Sequence, residues 1–398
     1  MTAAPLPLNG IKVLEFCQTI MGPTAGLLLA DLGADVIKIE PAPNGDKTRK
    51  LSGFAAGFFA GFNRNKRSIA LDLKSEEGRS VAHKLVETAD VVIENYAPGT
   101  MAKLGCDYET LRAINPKIIF CSLKGFLSGP YENRLALDEV VQFMAGMSYM
   151  TGPPGRPLRA GASVIDIMGG SYAVIGIFCA LRERDQTGEG QFIKSALFES
   201  TAFLMTQHLA GEVITGKETP PMPARVGAWS VYEPFETKDG RMVFIGITSD
   251  NHWRRFRDHF GLNYLKDDPA FSTNESRVAV RDKLLPIVAE IAISFNHDEL
   301  LKILEKIEIP FSPVARPTDL FDDPQLNFHD RMLPVEMPNG EVAKLPRLPI
   351  EVGEHDFGLR RQPPSVGFHT IEVLVESGFS ETQIKALAAS GVVKLGGD

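Results

Sequence analysis

Two short apolar runs with the same grammar, DVIKIE at Asp35–Glu40 and DVVIE at Asp90–Glu94, constrain this chain more than any other feature. Each reads as a strand, and each follows a helical stretch. Ile11–Phe16 (IKVLEF) is a further strand, ahead of an apolar helix at Gly22–Leu32 that Gly33 ends just before Asp35. The cycle repeats with a helix at Glu76–Glu87 before Asp90–Glu94, then with a helix at Tyr108–Ala113 before Lys117–Leu123 (KIIFCSL). Strands alternating with helices imply a parallel sheet flanked by helices. The first part of the chain is therefore expected to form a Rossmann-like α/β layer.

Long helices are expected at about Ile167–Arg184 and Ala196–Gly211, and Thr219–Pro223 (TPPMP) is a linker by composition. Beyond it the pattern changes. Ser230–Thr237 and Arg241–Ile247 alternate as strands joined by Lys238-Asp239-Gly240, a hairpin signal. Helices at Asn251–Phe260, Val278–Ile293 and His297–Ile307 complete a smaller α+β unit, placed at residues 225–325. The 398 residues exceed what one core usually organises, so two domains are the expectation. The proline-rich Leu345–Pro349 is long enough to carry the chain back to the first domain or across a partner. Ser380 with Gln383 forms a capping box for a final helix that Gly391 stops.

A net charge of -8 argues against a general nucleic-acid binder. The cysteines, Cys17, Cys106, Cys121 and Cys179, are scattered without zinc-ligand spacing, so buried free thiols are expected and no metal. The N-terminus lacks signal-peptide regions, and the apolar run at Ala173–Leu181 looks short of the roughly 20 residues that cross a membrane. A soluble cytoplasmic protein is the expectation. No phosphate loop, G-x-G-x-x-G, H-E-x-x-H or G-x-S-x-G is present. His252 and His259, among Arg254, Arg255 and Arg257, read as a solvated helix face. Lys47, Arg49 and Lys50, then Arg64, Lys66 and Arg67, form two basic clusters, either surface charge or a cradle for phosphates.

The stretch GASVIDIMGG (Gly161–Gly170) sets one carboxylate, Asp166, among apolar residues. Asp166 could cap a helix that starts at Ile167, worth about 1 kcal/mol. Gly169 and Gly170 fit a first turn poorly, since each costs roughly 1 kcal/mol there relative to alanine. Their lack of bulk would instead let a ligand approach the backbone. A helix N-terminus also lowers a carboxylate's pKa and offers donors to an oxyanion, a setting that suits a nucleophile.

Together these pieces resemble the class III coenzyme A transferases, the CaiB/BaiF-type family of formyl-CoA and carnitine CoA-transferases. The marks run nearly the length of the chain: LNGIKVLEF, GPTAGLLLADLGADVIKIE, GD-x-TR at Gly45–Arg49, NRNKRSIALDLK at Asn63–Lys74, ADVVIENYAPG, LKGF, GASVIDIMGG and TGEGQ at Thr187–Gln191. The resemblance implies a large Rossmann-like domain from both chain ends (1–224 and 326–398), a small middle domain and an interlocked homodimer. It places the catalytic aspartate on Asp166 and CoA contacts on Leu71, Asp72, Leu73, Lys74, Asn95, Tyr96, Ala97, Lys103 and the region Leu135–Asp138, including Leu137 and Asp138. Ile20, Met21, Gly169 and Gly170 then stand where substrate or a close backbone approach is expected.

The implied chemistry moves CoA from an acyl-CoA, succinyl-CoA being a reasonable donor, to a short-chain, dicarboxylic acid. Asp166 would attack the thioester to give a mixed anhydride and CoA thiolate, with an aspartyl-CoA thioester to follow. CoA is a substrate here, and no tightly bound cofactor or metal is expected. Ile20 replaces a glutamine of oxalate-using members, and Val226–Trp229 stands where those members carry a glycine-rich lid, both against formyl-CoA:oxalate transfer. Leu137 occupies the position of the histidine in the racemase branch. An acyl-CoA racemase or isomerase, and a non-catalytic CoA-binding protein, are the alternatives.

Overall fold

The computed structural model describes residues 5–225 and 227–396. The chain forms two compact units, one from Met1–Pro223 with Leu326–Asp398 and the other from Ala224–Gln325. The larger carries a seven-stranded sheet. Its strands are β1 (Lys12–Phe16), β2 (Asp35–Pro41), β3 (Arg67–Leu71), β4 (Val91–Glu94), β5 (Ile119–Lys124), β6 (Phe192–Ala196) and a short strand, Val393–Lys394, from the far end of the chain. Their order is Val393–Lys394, β3, β2, β1, β4, β5, β6. All neighbours are parallel except the edge pair, where Val393 lies antiparallel to Leu71.

Alternation along each strand divides the core in two. Val13, Val36, Val91 and Ile93 point to one side, into a cluster with Ala25 and Leu29 of helix α1 (Met21–Asp31) and with Ile165, Ala173 and Ile177 of the helix Val164–Thr187. Leu14, Phe16, Ile37, Ile39 and Val92 point to the other, against the helix Glu76–Val86 and the C-terminal helices. A sheet buried on both faces is what the near-continuous apolar runs predict. Three strands escape that pattern: β3 opens on two buried polar residues, Arg67 and Ser68; β6 (FIKSA) is partly exposed; the last is two residues long.

The helix Val164–Thr187 corrects two expectations. It starts three residues before Ile167, and at 24 residues it is long and apolar enough to cross a membrane by length and composition. Its buried side chains pack on α1 and the sheet. The helix expected over Ala196–Gly211 breaks at Met205 into Leu197–Leu204 and Thr206–Thr215.

The basic clusters are neither surface charge nor a phosphate cradle for the most part; they are internal. Lys66 Nζ lies 2.7 Å from Glu15, and Lys38 Nζ lies 3.0 Å from both Glu15 and Asp46, all four buried. Arg64 pairs with Asp31 at 2.7 Å and Arg49 with Glu40 at 2.6 Å, while Arg67 reaches Asp35, Glu372 and Glu376. Only Lys47 and Lys50 of the six are exposed.

In the smaller unit Val231–Glu236, Met242–Ile247 and Phe311–Pro313 form an antiparallel sheet. Gly240 takes φ +76° in the hairpin turn, a conformation that favours glycine. The helices are Asp250–His259, Asn274–Ala279, Arg281–Ser294 and His297–Lys306. Arg254, Arg255 and Arg257 make polar contacts with Asn251, Glu308 and Asp258 on that unit's surface. Ser380 and Gln383 form the anticipated capping box.

Candidate active site

Parallel sheets leave their ligand space beyond the carboxyl ends of the strands, and a cavity of about 340 Å³ lies there, beyond β1, β4 and β5. The turn after β1 supplies Thr19, Ile20 and Met21. Thr19 holds φ +70°, uncommon for a β-branched residue and costing on the order of 1 kcal/mol. Asn95, just past β4, fastens that turn: its Oδ1 accepts from the Gln18 N–H at 2.9 Å and its Nδ2 donates to the Gln18 carbonyl at 2.7 Å. The side chain of Asn95 thus shapes the wall by binding backbone. Tyr96, Ala97, Leu137, Asp138, Arg159 and Asp166 complete the part that matters here.

Asp166 is not the N-cap. Ser163 holds that position, and Asp166 lies in the first turn of the helix. The capping group comes from another helix, Asp138–Met144: Asp138 Oδ2 accepts from the backbone N–H of Ile165 at 2.8 Å and of Asp166 at 3.0 Å. Asp138 Oδ1 accepts from Gln142 Nε2 at 2.5 Å, and Gln142 Oε1 accepts from the Ala160 N–H at 2.8 Å. Asp138 therefore acts on protein backbone, and the two helix amides it engages are not free to hold an oxyanion.

The electrostatics run opposite to the sequence expectation. Burial, then the neighbouring Asp138, push the Asp166 carboxyl up to about 7, with Arg159 partly opposing. Helix-terminus stabilisation is lost because Asp138 already occupies the donors. A half-buried carboxylate left in this state is a better nucleophile than an ordinary one, being more basic. Arg159 sits 3.8 Å from both Asp138 and Glu139, its Nε donating to the Ala160 carbonyl at 3.1 Å. Lys124, also on the cavity wall, is committed to Glu94 at 2.7 Å and to the Tyr96 carbonyl.

The glycines need a different explanation from ligand access. A Cβ on Gly169 would lie 2.5 Å from Met21 Cε, and one on Gly170 would lie 2.6 Å from the Met21 carbonyl oxygen. Both are buried where α1 crosses the long helix, so they serve close helix packing. Ile20 and Met21 line the cavity.

Leu71, Asp72, Leu73 and Lys74 are not brought to this cavity. Leu71 and Leu73 are core side chains, Leu71 pairs with Val393, and Asp72 Oδ1 accepts from the Lys74 N–H at 3.0 Å. Lys103 is exposed at the end of the short helix Thr100–Lys103. Met101 and Ala102 of that helix line a second cavity of about 480 Å³, which also takes in Tyr108, Phe120 and Phe192 and shares Ala97 and Lys124 with the first. Of Val226–Trp229, Val226 lies outside the described residues, and the Trp229 carbonyl accepts from Arg281 at 2.6 Å. Among the described residues no cluster of His, Cys, Asp or Glu could hold a metal ion.

Sequence reasoning missed Arg134, Arg159 and Gln142. Only Gln142 leaves a local signal, its i, i+4 spacing from Asp138 on a helix; the arginines enter through loops.

Residues 8–370 match the family described as CoA-transferase family III. A succinate–glutarate CoA-transferase of Agrobacterium fabrum is 36% identical, over 93% of this chain and 95% of its own. The human succinyl-CoA:glutarate CoA-transferase is 31% identical, over 97% and 90%. A succinyl-CoA:mesaconate CoA-transferase of Haloarcula hispanica is 33% identical, over 93% and 96%. Among solved structures, a CaiB/BaiF family protein from Brucella suis superposes with a TM-score of 0.85 at 35% identity, covering 94% of this chain and 100% of that one.

Proposed function

The chain belongs to CoA-transferase family III and is a CoA-transferase, and from that premise we propose that it carries CoA from succinyl-CoA to a short dicarboxylic acid with Asp166 as nucleophile. The observation that carries the proposal is Asp166 itself: a half-buried carboxylate pushed up to about 7 on the wall of the cavity at the sheet's carboxyl edge. An Asp166 oxygen attacks the thioester carbon, the C–S bond breaks and CoA leaves as thiolate, giving a mixed anhydride. The thiolate then attacks the Asp166 carbonyl carbon, releasing succinate and leaving an aspartyl-CoA thioester. The acceptor carboxylate attacks that thioester to form a second anhydride, and the freed thiolate takes the acceptor's acyl carbon, restoring Asp166. No step needs ATP, because every intermediate stays activated. Ile20, Met21, Leu137 and Leu197 give the cavity an apolar wall, which limits hydrolysis of these intermediates.

The relatives' substrates are dicarboxylates or their thioesters, and the cavity offers two guanidinium groups for the carboxylate that does not react. Arg159 has its Nη atoms no closer than 3.8 Å to an anionic partner, and Arg134 rests over the ring of Tyr131 at 4.9 Å. CoA would lie along Asn95–Ala97 toward the second cavity, with the exposed Lys103, next in the chain to the cavity-lining Met101 and Ala102, to meet a phosphate. A second copy of this chain, interlocked with the first, would cover the exposed Phe203, Leu209, Val213 and Ile214.

Asp166→Ala is expected to fold and bind CoA while kcat falls by more than about 1000-fold; normal turnover would end the assignment. Arg159→Gln is expected to raise KM for glutarate about tenfold and to leave a monocarboxylic acceptor untouched. Equal loss for both acceptors would remove Arg159 from substrate recognition. No histidine lines the cavity among the described residues, and Leu137 stands in the racemase position, so α-carbon deuterium exchange without an acceptor is expected to be absent.

A further inference from the structure

We propose that Asp138 is the positioning residue that loads Asp166 for acylation: it takes the helix amides for its own carboxylate and leaves Asp166 beside that negative charge without them, so converting Asp166 to an acyl group relieves a repulsion. The inference rests on Asp166 being the nucleophile and adds the reason it is a reactive one.

The geometry is specific. All three hydrogen-bond partners of Asp138 are donors, the Ile165 and Asp166 N–H groups and Gln142 Nε2, a pattern that an acceptor-only carboxylate satisfies. Gln142 is fully buried, and its Oε1 holds the Ala160 N–H. Asp138 is thus fixed from behind while it fixes the first turn that bears Asp166. A helix N-terminus ordinarily favours a nearby negative charge through these same amides. Here they stabilise Asp138, and Asp166 receives the repulsion without the compensation.

The charges facing Asp166 are few. The helix Asp138–Met144 presents Asp138 and Glu139, and the segment before Asp166 presents Arg159. β5 contributes Lys124, tied to Glu94; the loop between them contributes Arg134, over Tyr131; the helix Leu197–Leu204 carries Glu199, near the Leu127 N–H; α1 contributes no charge to the cavity. One nearby guanidinium, Arg159, thus faces Asp138, Glu139 and Asp166 together. When an Asp166 oxygen forms its bond to the thioester carbon and the C–S bond breaks, the negative charge leaves with CoA thiolate. The Asp166 site becomes neutral next to Asp138. The direction of the shift at Asp166 agrees, raised by burial and then by Asp138.

The discriminating variant moves the charge without removing the bonds. In the double substitution Asp138→Asn with Gln142→Glu, the side-chain carbonyl oxygen introduced at position 138 still accepts from both helix amides. Its NH2 group donates to the carboxylate introduced at position 142, and that carboxylate still accepts from the Ala160 N–H. The negative charge now sits one helical turn away. Single-turnover release of CoA thiolate from succinyl-CoA is measured against pH, beside thermal unfolding. The expected outcome is cooperative unfolding at a somewhat lower temperature, because the fully buried position 142 now holds the charge, with an acidic limb moved to lower pH by about one unit and acylation about tenfold slower on the plateau. Asp138→Asn alone, which also loses the Gln142 bond, is expected to show the same acidward limb with a lower unfolding temperature. Wild-type limb and rate in either variant would overturn the proposal. If wild-type protein releases CoA thiolate with no acyl group on Asp166, the nucleophile assignment itself fails, whatever the variants do.

Discussion

Asp166 ties reactivity to instability. Its folded-state pKa, about 7, lies above the value of an unfolded aspartate, so the folded chain holds the proton more tightly between the two. Stability from this group is fully present below about pH 4, where folded and unfolded chains both hold the proton, and is lost progressively as pH rises from there to about 7. Asp166→Asn should therefore stabilise the protein at pH 8, by about 1 kcal/mol once partial solvent screening is allowed for, and the gain should shrink to nearly nothing at about pH 4. Thermal unfolding at the two pH values checks this. Equal melting of wild type and variant at pH 8 would mean that the ionised carboxylate is not strained. The family resemblance points to Asp166 but not to its environment. Asp138 lies 28 residues away in sequence from its partner amide, and no local pattern announces a cap supplied across space. Read locally, the residues point Asp166 at the cap, and the resemblance points Asp138 at CoA.

At the scale of elements, the helix Val164–Thr187 carries Asp166, the proposed nucleophile, and α1 carries the opposite wall. Their separation is set by Gly169 and Gly170. Gly170→Ala gains helix propensity but drives a Cβ into the Met21 backbone, which no side-chain rotation relieves. A net destabilisation of about 1–3 kcal/mol is expected, measured by denaturant unfolding. Unchanged stability would mean that the crossing is looser than these distances imply. Strands β1, β2, β4 and β5 can be read directly, because apolar residues dominate each of them, with Glu15, Lys38 and Glu40 among the buried charged exceptions. β3 cannot: Arg67 at its first position is neutralised by Asp35, Glu372 and Glu376, partners that only the folded chain brings near. The same long-range pairing hides the basic clusters' true role.

For the whole molecule, the sheet is held together by charge as well as by apolar packing. Glu15 on β1 pairs with both Lys38 on β2 and Lys66 just before β3, all fully buried, and Asp46 supplies Lys38 with a second carboxylate. Removing one member of such a set leaves an uncompensated charge in the interior. Glu15→Gln is expected to destabilise the fold by about 3–5 kcal/mol, more than any surface substitution, as read by chemical denaturation. A loss below about 1 kcal/mol would show that Asp46 and water suffice. The proposed CoA transfer rests on the covalent chemistry of one carboxylate, Asp166. Incubating the wild-type protein with succinyl-CoA without acceptor, trapping with hydroxylamine and mapping peptides by mass tests it most directly. The account predicts a hydroxamate on Asp166 and on no other carboxylate, lost when Asp166 is replaced by asparagine. An unmodified Asp166 in protein that still transfers CoA, or a hydroxamate on a different residue, would contradict it.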